Sequence, residues 1–386
     1  MNSPNGLRAW AEVDLGALTH NLRTLRNLYA DSEVMAIVKA DAYGHGVDLV
    51  APCAYANGVR HFGVATTDEA AYLRRLLRVD ARVYLLSPVI PSDAPALVAD
   101  RIVTVVSSLE MAEVLSTSAV AASTTADIHV DVDTGMGRSG FRLDEAADAL
   151  AKIEAMPGLR LDGICTHFAS ADEDPDDARR QHKLFLDFLS TMGERASTLT
   201  VHASNSPATL AVGKPGYHTL VRPGLLMYGI EPAAGMLAPQ PPIIEEQEAL
   251  DLQPVLSIRA RVTLCRELPA GSTISYGKTY TVPEDGGRYA TVALGYGDGI
   301  QRALGNAGYV LIHGKRAPIR GRVCMDQFVV DVDGIDDVRA GDVATIVGRD
   351  VDEEITVLSV ADLIGTTPHL ISTCLMPRLP RLAVKG

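Results

Sequence analysis

Three observations predict an α/β chain with an N-terminal (β/α)8 TIM-like barrel followed by a mainly β domain. Through the first two-thirds of the chain, short apolar runs alternate with helical patterns, as parallel βα units do. Eight such runs follow an opening strand-like segment, and eight parallel units close a barrel. Beyond a proline-rich stretch the apolar period becomes two, with glycine-rich turns between runs. The chain has 386 residues, more than one core usually serves, so two domains are expected, at 1–240 and 241–386.

The opening strand, residues 8–15, is expected to pair with the β domain. Barrel strands are placed at residues 33–39, 61–65, 82–86, 102–106, 127–132, 161–167, 199–203 and 218–222. An open doubly wound sheet fits the same alternation, but no glycine fingerprint of the dinucleotide type follows the first of these strands. The linker is read at residues 231–254, where Pro232, Pro239, Pro241 and Pro242 precede Glu245-Glu246-Gln247-Glu248. Strands of the second domain are expected at 256–266, 289–294, 308–313, 328–332 and 342–347. A helix should start at Thr356 and stop at Gly365, and another should open with Thr367 as cap and Pro368 in its first turn.

A net charge of -13 disfavours nucleic acid and anionic membrane as partners, since both would repel the chain. The five cysteines (Cys53, Cys165, Cys265, Cys324, Cys374) are scattered without metal-ligand spacing, which suits free thiols in a reducing compartment and no metal site. No export signal opens the chain and no apolar run reaches the roughly 18 residues of a spanning helix, so the cytoplasm is the expected location.

The run Met35-Ala36-Ile37-Val38-Lys39 turns from an apolar strand into a lysine, with Gly44 and Gly46 beyond. At the C-terminal end of a barrel strand, where this fold builds its sites, desolvation lowers a lysine's pKa and its amine can form a Schiff base. A lysine that buries only its stem and snorkels its charge to water leaves the same pattern. Arg138, after Asp131-Val132-Asp133-Thr134-Gly135-Met136-Gly137, enters a glycine-rich loop and can grip a carboxylate with two prongs, although a solvated loop arginine fits equally. His167 ends Cys165-Thr166-His167, a position more often structural than catalytic. In Asn205-Ser206-Pro207, Ser206 reads as the cap of a helix whose free amides favour an anion, as an ordinary cap would. In Arg222-Pro223-Gly224-Leu225, Gly224 lets the backbone approach a ligand. Ser275-Tyr276-Gly277 ends a strand in a tyrosine, which acts as a base near neutrality only if cationic neighbours lower its pKa from about 10. Arg322-Val323-Cys324-Met325-Asp326 carries a turn-borne Met-Asp pair.

In order and spacing these motifs closely resemble those of the alanine racemases, fold-type III enzymes that use pyridoxal phosphate, over about residues 9–381. The resemblance implies that Lys39 holds the cofactor and serves as base on the D-face, with Tyr276 of the partner subunit serving the L-face. It further implies a phosphate cup of Tyr43, Ser206, Gly224 and Leu225, closed by His369 where the family usually has a tyrosine. His167 would lie against the cofactor ring, and Arg222 against its pyridine nitrogen, which an always-charged guanidinium keeps unprotonated. Arg138 and the partner's Met325 would seat the substrate carboxylate, with Asn205 and Asp326 in support, while Asp172, Tyr296, Arg302 and Arg322 resemble the lining of a narrow entrance. The implied unit is a homodimer that interconverts L- and D-alanine and supplies D-alanine for peptidoglycan. Alternatives are a broad-specificity alanine/serine racemase, a fold-type III decarboxylase, and a non-catalytic pyridoxal phosphate carrier, though such carriers lack an appended β domain.

Two positions depart from the family pattern. Where many relatives carry a carbamylated lysine, this chain has Asp131, whose carboxylate is expected to orient Arg138 without carbon dioxide. His369 is smaller than a phenol, so some tolerance of serine is expected, with alanine still preferred.

Overall fold

The computed structural model describes residues 4–212, 219–230 and 250–385, with side chains 209–211 left aside. After β1 (Ala9–Asp14), the barrel strands are β2 (Glu33–Ile37), β3 (His61–Val64), β4 (Arg82–Leu85), β5 (Val103–Val106), β6 (Ala126–Asp133), β7 (Leu159–Cys165), β8 (Thr200–His202) and β9 (Leu220–Val221). They run parallel in the order β9-β2-β3-β4-β5-β6-β7-β8. The Thr219 and Arg222 amides donate to the Val201 and Ser204 carbonyls at 3.0 and 2.9 Å, joining the two ends into a ring. Burial explains the composition: all of Val103–Val106 is buried, as expected of strands covered on both faces.

Most of these strands end earlier than the sequence pattern suggests, three of them beside candidate site residues. β2 ends at Ile37, before Lys39, because a left-handed turn follows. β7 ends at Cys165, two residues before His167, and β9 keeps only Leu220–Val221. Residue 218 and the proline-rich linker with Pro232, Pro239, Pro241, Pro242 and the 245–248 acidic run lie outside the described residues.

The second sheet is a mainly antiparallel barrel. Its path is Glu353–Ile355, Val343–Asp350, Tyr309–Ile312, Lys315–Arg320, Phe328–Asp331, Gly287–Val292, Leu256–Leu268, β1 and Arg381–Val384, and a further pairing of Val343–Asp350 with Leu256–Leu268 closes it. β1 therefore sits in this sheet, antiparallel to Leu256–Leu268 and parallel to Arg381–Val384, so the chain's start ties the two domains together. The strand Lys315–Arg320 was not foreseen, because its Pro318 and its basic residues break the alternation; Pro318 is accommodated opposite Tyr309. Helix Val357–Ile364 is capped by the Thr356 side chain and stopped by Gly365 at φ +65°, matching the sequence signals. Helix Pro368–Thr373 follows Thr367, whose hydroxyl bonds His369 Nδ1 at 2.9 Å instead of capping. Among the described residues no helix is long and apolar enough to cross a membrane, and no cluster of metal-ligating side chains occurs.

Candidate active site

The site begins where β2 gives out. Ala40, Asp41, Ala42 and Tyr43 take φ of +51, +53, +54 and +54°, one left-handed turn made without glycine. Such a conformation costs on the order of 1–2 kcal/mol per residue, so neighbours must hold it. Glu69, in the capping box of helix Thr67–Leu76, accepts the Ala40 amide at 2.6 Å, and Asp41 accepts the Val47 amide at 2.8 Å. Buried His45 donates through Nδ1 to the Ala42 and Tyr43 carbonyls at 3.0 Å and stacks on Tyr228. Burial pushes His45 down to about 4, so its ring is neutral and suited to that role. Gly44 closes the turn at φ +79°, where a Cβ would collide with the Ser372 carbonyl; the glycine is what lets helix Pro368–Thr373 dock and bring His369 within 5.7 Å of the Tyr43 ring.

Lys39 extends from this turn into a cavity of about 480 Å³, within the range of small-molecule sites. The barrel-borne residues singled out from sequence line it, Lys39, Tyr43, Asp131, Arg138, His167, Asp172, Asn205, Ser206, Arg222, Gly224 and Leu225, joined by His369 from helix Pro368–Thr373. Solvent reaches Lys39 through the cavity, yet the surrounding protein lowers its pKa by desolvation, then by the Arg138 and Arg222 charges, against an opposing pull from Glu69. Arg222 is almost fully buried; it donates to the Thr166 and Ala203 carbonyls at 2.9 and 3.0 Å and contacts His167 Nδ1 at 3.1 Å. Burial first, then Arg222, Arg138 and Lys39, press His167 down to about 3, so a neutral imidazole lies among three cations. Its Nε2 meets the Asn205 amide at 3.4 Å.

Opposite Lys39 the wall forms a cradle. Ser206 Oγ accepts the Gly224 and Leu226 amides at 2.8 and 3.3 Å, which leaves the hydroxyl hydrogen for another acceptor. A Cβ on residue 224 would sit 2.6 Å from the Tyr43 hydroxyl, so only glycine admits that approach. Burial pushes Tyr43 up to about 12, keeping its hydroxyl a donor. One reading from sequence is corrected: Asn205, not Ser206, caps helix Ser206–Ala211, accepting the Ala208 amide at 2.9 Å. Ser206 is thereby freed to face the loop after β9.

Asp131 lies beside the Arg138 loop. Its Oδ2 accepts the Ser139 and Ser107 hydroxyls at 2.8 and 3.4 Å, and among the described residues it makes no ion pair with Arg138. The carboxylate sits one methylene from the backbone, and the two serines reach it first. Its direct partner in the loop is Ser139, the residue after Arg138. Burial raises its pKa, opposed chiefly by Ser139.

Tyr276, Tyr296, Arg302, Arg322, Met325 and Asp326 do not line the cavity; they lie on the second domain. Tyr276 stands at the turn of a small hairpin pairing Thr273–Ile274 with Tyr280–Thr281 and is 72% exposed; Met325 is also exposed. Ser275 holds φ +64° there and donates to the Arg322 carbonyl at 2.6 Å, while Gly277 leaves space for the Arg322 guanidinium. The Met325 carbonyl accepts the Gly297 amide at 2.8 Å and Arg378 at 3.1 Å, and Arg378 also pairs with Asp326 at 2.9 Å. Reasoning from sequence missed His202, Thr166, Ser87 and Ser139 in the cavity wall. His202 ends a barrel strand just as His167 follows one, and that position was the available signal.

A parallel barrel that gathers an amine, two guanidiniums and an anion cradle at one mouth defines a barrel enzyme working through a lysine amine. A family model described as alanine racemase, N-terminal domain, matches residues 13–232, and one described as alanine racemase, C-terminal domain, matches 255–383. The alanine racemase of Halothermothrix orenii is 35% identical over 96% of both chains, and that of Desulforamulus reducens 37% over 97% of this chain and 98% of its own. The crystal structure of alanine racemase from Bacillus anthracis with bound L-Ala-P superposes with a TM-score of 0.88 at 34% identity, covering 100% of this chain and 97% of that one. A Bartonella henselae alanine racemase with covalently bound pyridoxal phosphate superposes with a TM-score of 0.84 at 28% identity, over 98% and 99%. The chain belongs to the alanine racemase family, enzymes of the isomerase class.

Proposed function

We propose that this protein interconverts L- and D-alanine with pyridoxal phosphate, by two bases, in a homodimer whose D-alanine serves peptidoglycan. The observation that carries the reading is Lys39, its pKa lowered by desolvation and then by Arg138 and Arg222, in one cavity with the Tyr43–Ser206–Gly224 cradle. The residues fit the cofactor: Ser206 keeps a hydroxyl hydrogen for phosphate, Tyr43 stays a donor, and the missing Cβ of Gly224 opens the floor between them. Lys39 would hold the aldehyde carbon; Leu225 and His369 would complete the phosphate cup. Arg222 would stand at the ring nitrogen and neutral His167, steadied by Asn205, against the ring. When bound, pyridoxal phosphate supplies an electron sink that acidifies an amino acid's α-hydrogen.

The chain's own groups do the rest. Arg138 has no ion-pair partner among the described residues and can grip a substrate carboxylate. A lysine with lowered pKa can take and return a proton at Nζ on one face. Inversion then needs a second base on the other face, and among the described residues the cavity lining holds no tyrosine besides Tyr43, which is committed to the cradle. Tyr276 of the partner subunit serves at Oη, with the partner's Met325, backed by Asp326, closing over the carboxylate. In the dimer Tyr296, Arg302 and Arg322 narrow the approach together with Asp172.

Incubating the holoenzyme with L-alanine in deuterated water tests this reading. Deuterium should enter at Cα while D-alanine forms, and the reverse reaction should label L-alanine. Carbon dioxide release, or exchange without any D-isomer, sinks it.

A further inference from the structure

Behind Arg222 the barrel interior departs from its usual aliphatic layers. Arg222 Nη1 donates to His202 Nδ1; His202 Nε2 lies 2.7 Å from His129 Nδ1; His129 Nε2 lies 3.1 Å from Asp162 Oδ2. Asp162 accepts Arg82 at 2.7 Å, Arg82 reaches Asp127 at 3.3 Å, and Arg160 grips Asp127 at 2.7 Å. Both imidazoles are completely buried. Room for them is built in: a Cβ on Gly163, which pairs with His129 across β6 and β7, would lie 2.5 Å from the His129 ring. The Tyr84 ring meets His129 edge-on and its hydroxyl bonds His61 at 2.8 Å, closing the other side.

The order of hydrogens along this file is forced. A guanidinium only donates, so His202 Nδ1 accepts and its hydrogen sits on Nε2. That hydrogen is given to His129 Nδ1, so His129 carries its own on Nε2 and gives it to Asp162. Burial lowers the His129 pKa, keeping the ring neutral. Burial alone would push Asp162 up, but His129 and Arg82 draw it down to about 2, so the far end stays a carboxylate. A fixed anion thus sets, through two imidazoles in one tautomer each, the plane in which a buried cation is held.

We propose that His129 and Asp162 are positioning residues that act through His202 to fix the orientation of Arg222 at the active site. The inference rests on the functional reading above and deepens it. A merely structural polar file would cost stability when cut, because a buried donor is left unpaired, but would not lower kcat selectively.

The test uses His129→Leu, which fills the space and cuts the file, and Asp162→Asn, which keeps shape and removes the charge. In the wild-type holoenzyme, ¹⁵N spectra of labelled histidines should show two neutral rings protonated at Nε2 that do not titrate from pH 8 to 5, and Asp162→Asn should perturb both. Each variant should lose about ten-fold in kcat, the lower end of what removing an outer-shell partner costs elsewhere. KM should stay within roughly two-fold, and the thermal midpoint of His129→Leu should fall, since the His202 Nε2 hydrogen loses its acceptor inside the barrel. In an Arg222→Lys background the His129→Leu loss should shrink, since coupled residues are not additive. Wild-type kcat in both variants, full additivity with Arg222→Lys, or Nδ1-protonated rings would each overturn the relay while leaving racemisation standing. A wild-type holoenzyme that makes no D-alanine would instead overturn the functional reading, and the relay's catalytic role with it. Should His129→Leu prove insoluble, Asp162→Asn carries the same readouts.

Discussion

The barrel mouth and the Tyr276 hairpin are opposites in finish. Around Lys39 hydrogen bonds fix Arg222, His167 and Ser206, and desolvation shifts Lys39, His167, Arg222 and Tyr43 away from their ordinary pKa values. Tyr276 stands 72% exposed on a strained turn that Ser275 and Arg322 hold rigidly in place. Ordering an aromatic side chain's support while leaving the ring in water gains the monomer nothing. The contrast fits the proposal that the two regions are complementary halves, one to hold the cofactor and one to be buried by another copy.

The largest effect should come from separating those halves. Lys39→Ala and Tyr276→Phe are each expected to lower turnover by a factor on the order of 10⁴ or more for the lysine, and somewhat less for the tyrosine. When the two variants are co-expressed, mixed dimers hold one intact site and one doubly defective site. Activity should recover to about a quarter of wild type, the share of intact sites at random pairing. No recovery in a preparation shown by mass to contain mixed dimers would mean that each chain completes its own site.

The same two halves were unequally legible in the sequence. Lys39 stood out because an apolar strand rarely ends in a charge, and the Thr356 and Gly365 signals worked because capping is local chemistry, as did Pro368 in a first turn, although the Thr367 hydroxyl bonds His369 and makes no cap. The left-handed turn at Ala40–Tyr43 could not be seen, since no glycine announces it; contacts from Glu69 and Ser372 impose it from elsewhere in the chain. His129 escaped notice for a related reason. Its partners lie 73 and 33 residues away, and only barrel closure brings them together. The roles of Tyr276 and Met325 could be nominated through family resemblance alone, because both side chains stand exposed in a single chain.

A smaller effect sharpens the barrel half. Asp131 already supplies a carboxylate that Ser139 and Ser107 hold, so stripping bicarbonate from the assay should leave kcat unchanged. Asp131→Asn keeps a hydrogen-bond acceptor for Ser139 but removes the charge beneath the Arg138 loop. The expected result is a rise in the KM for alanine of roughly three- to ten-fold, with kcat less affected. Activity that collapses on removing bicarbonate and returns on adding it would show that a carbamate forms elsewhere in this chain.

The smallest effect belongs to His369, at the seam between the halves. Its Nδ1 is tied to the Thr367 hydroxyl at 2.9 Å, so the ring's rotation is set and Nε2 is the atom left for the cavity. Burial, then Lys39, lowers its pKa, so it contributes a small neutral donor in place of a phenol. His369→Tyr refills that volume beside Tyr43. A pocket separates substrates differing by one small group by about 1–3 kcal/mol, so the serine-to-alanine ratio of kcat/KM should drop by around ten-fold. Turnover of alanine itself should change little, because Lys39 and the cradle are untouched. A ratio that does not move would place the limit on side-chain size elsewhere along the wall, with Met136 and Leu86 the next groups to vary.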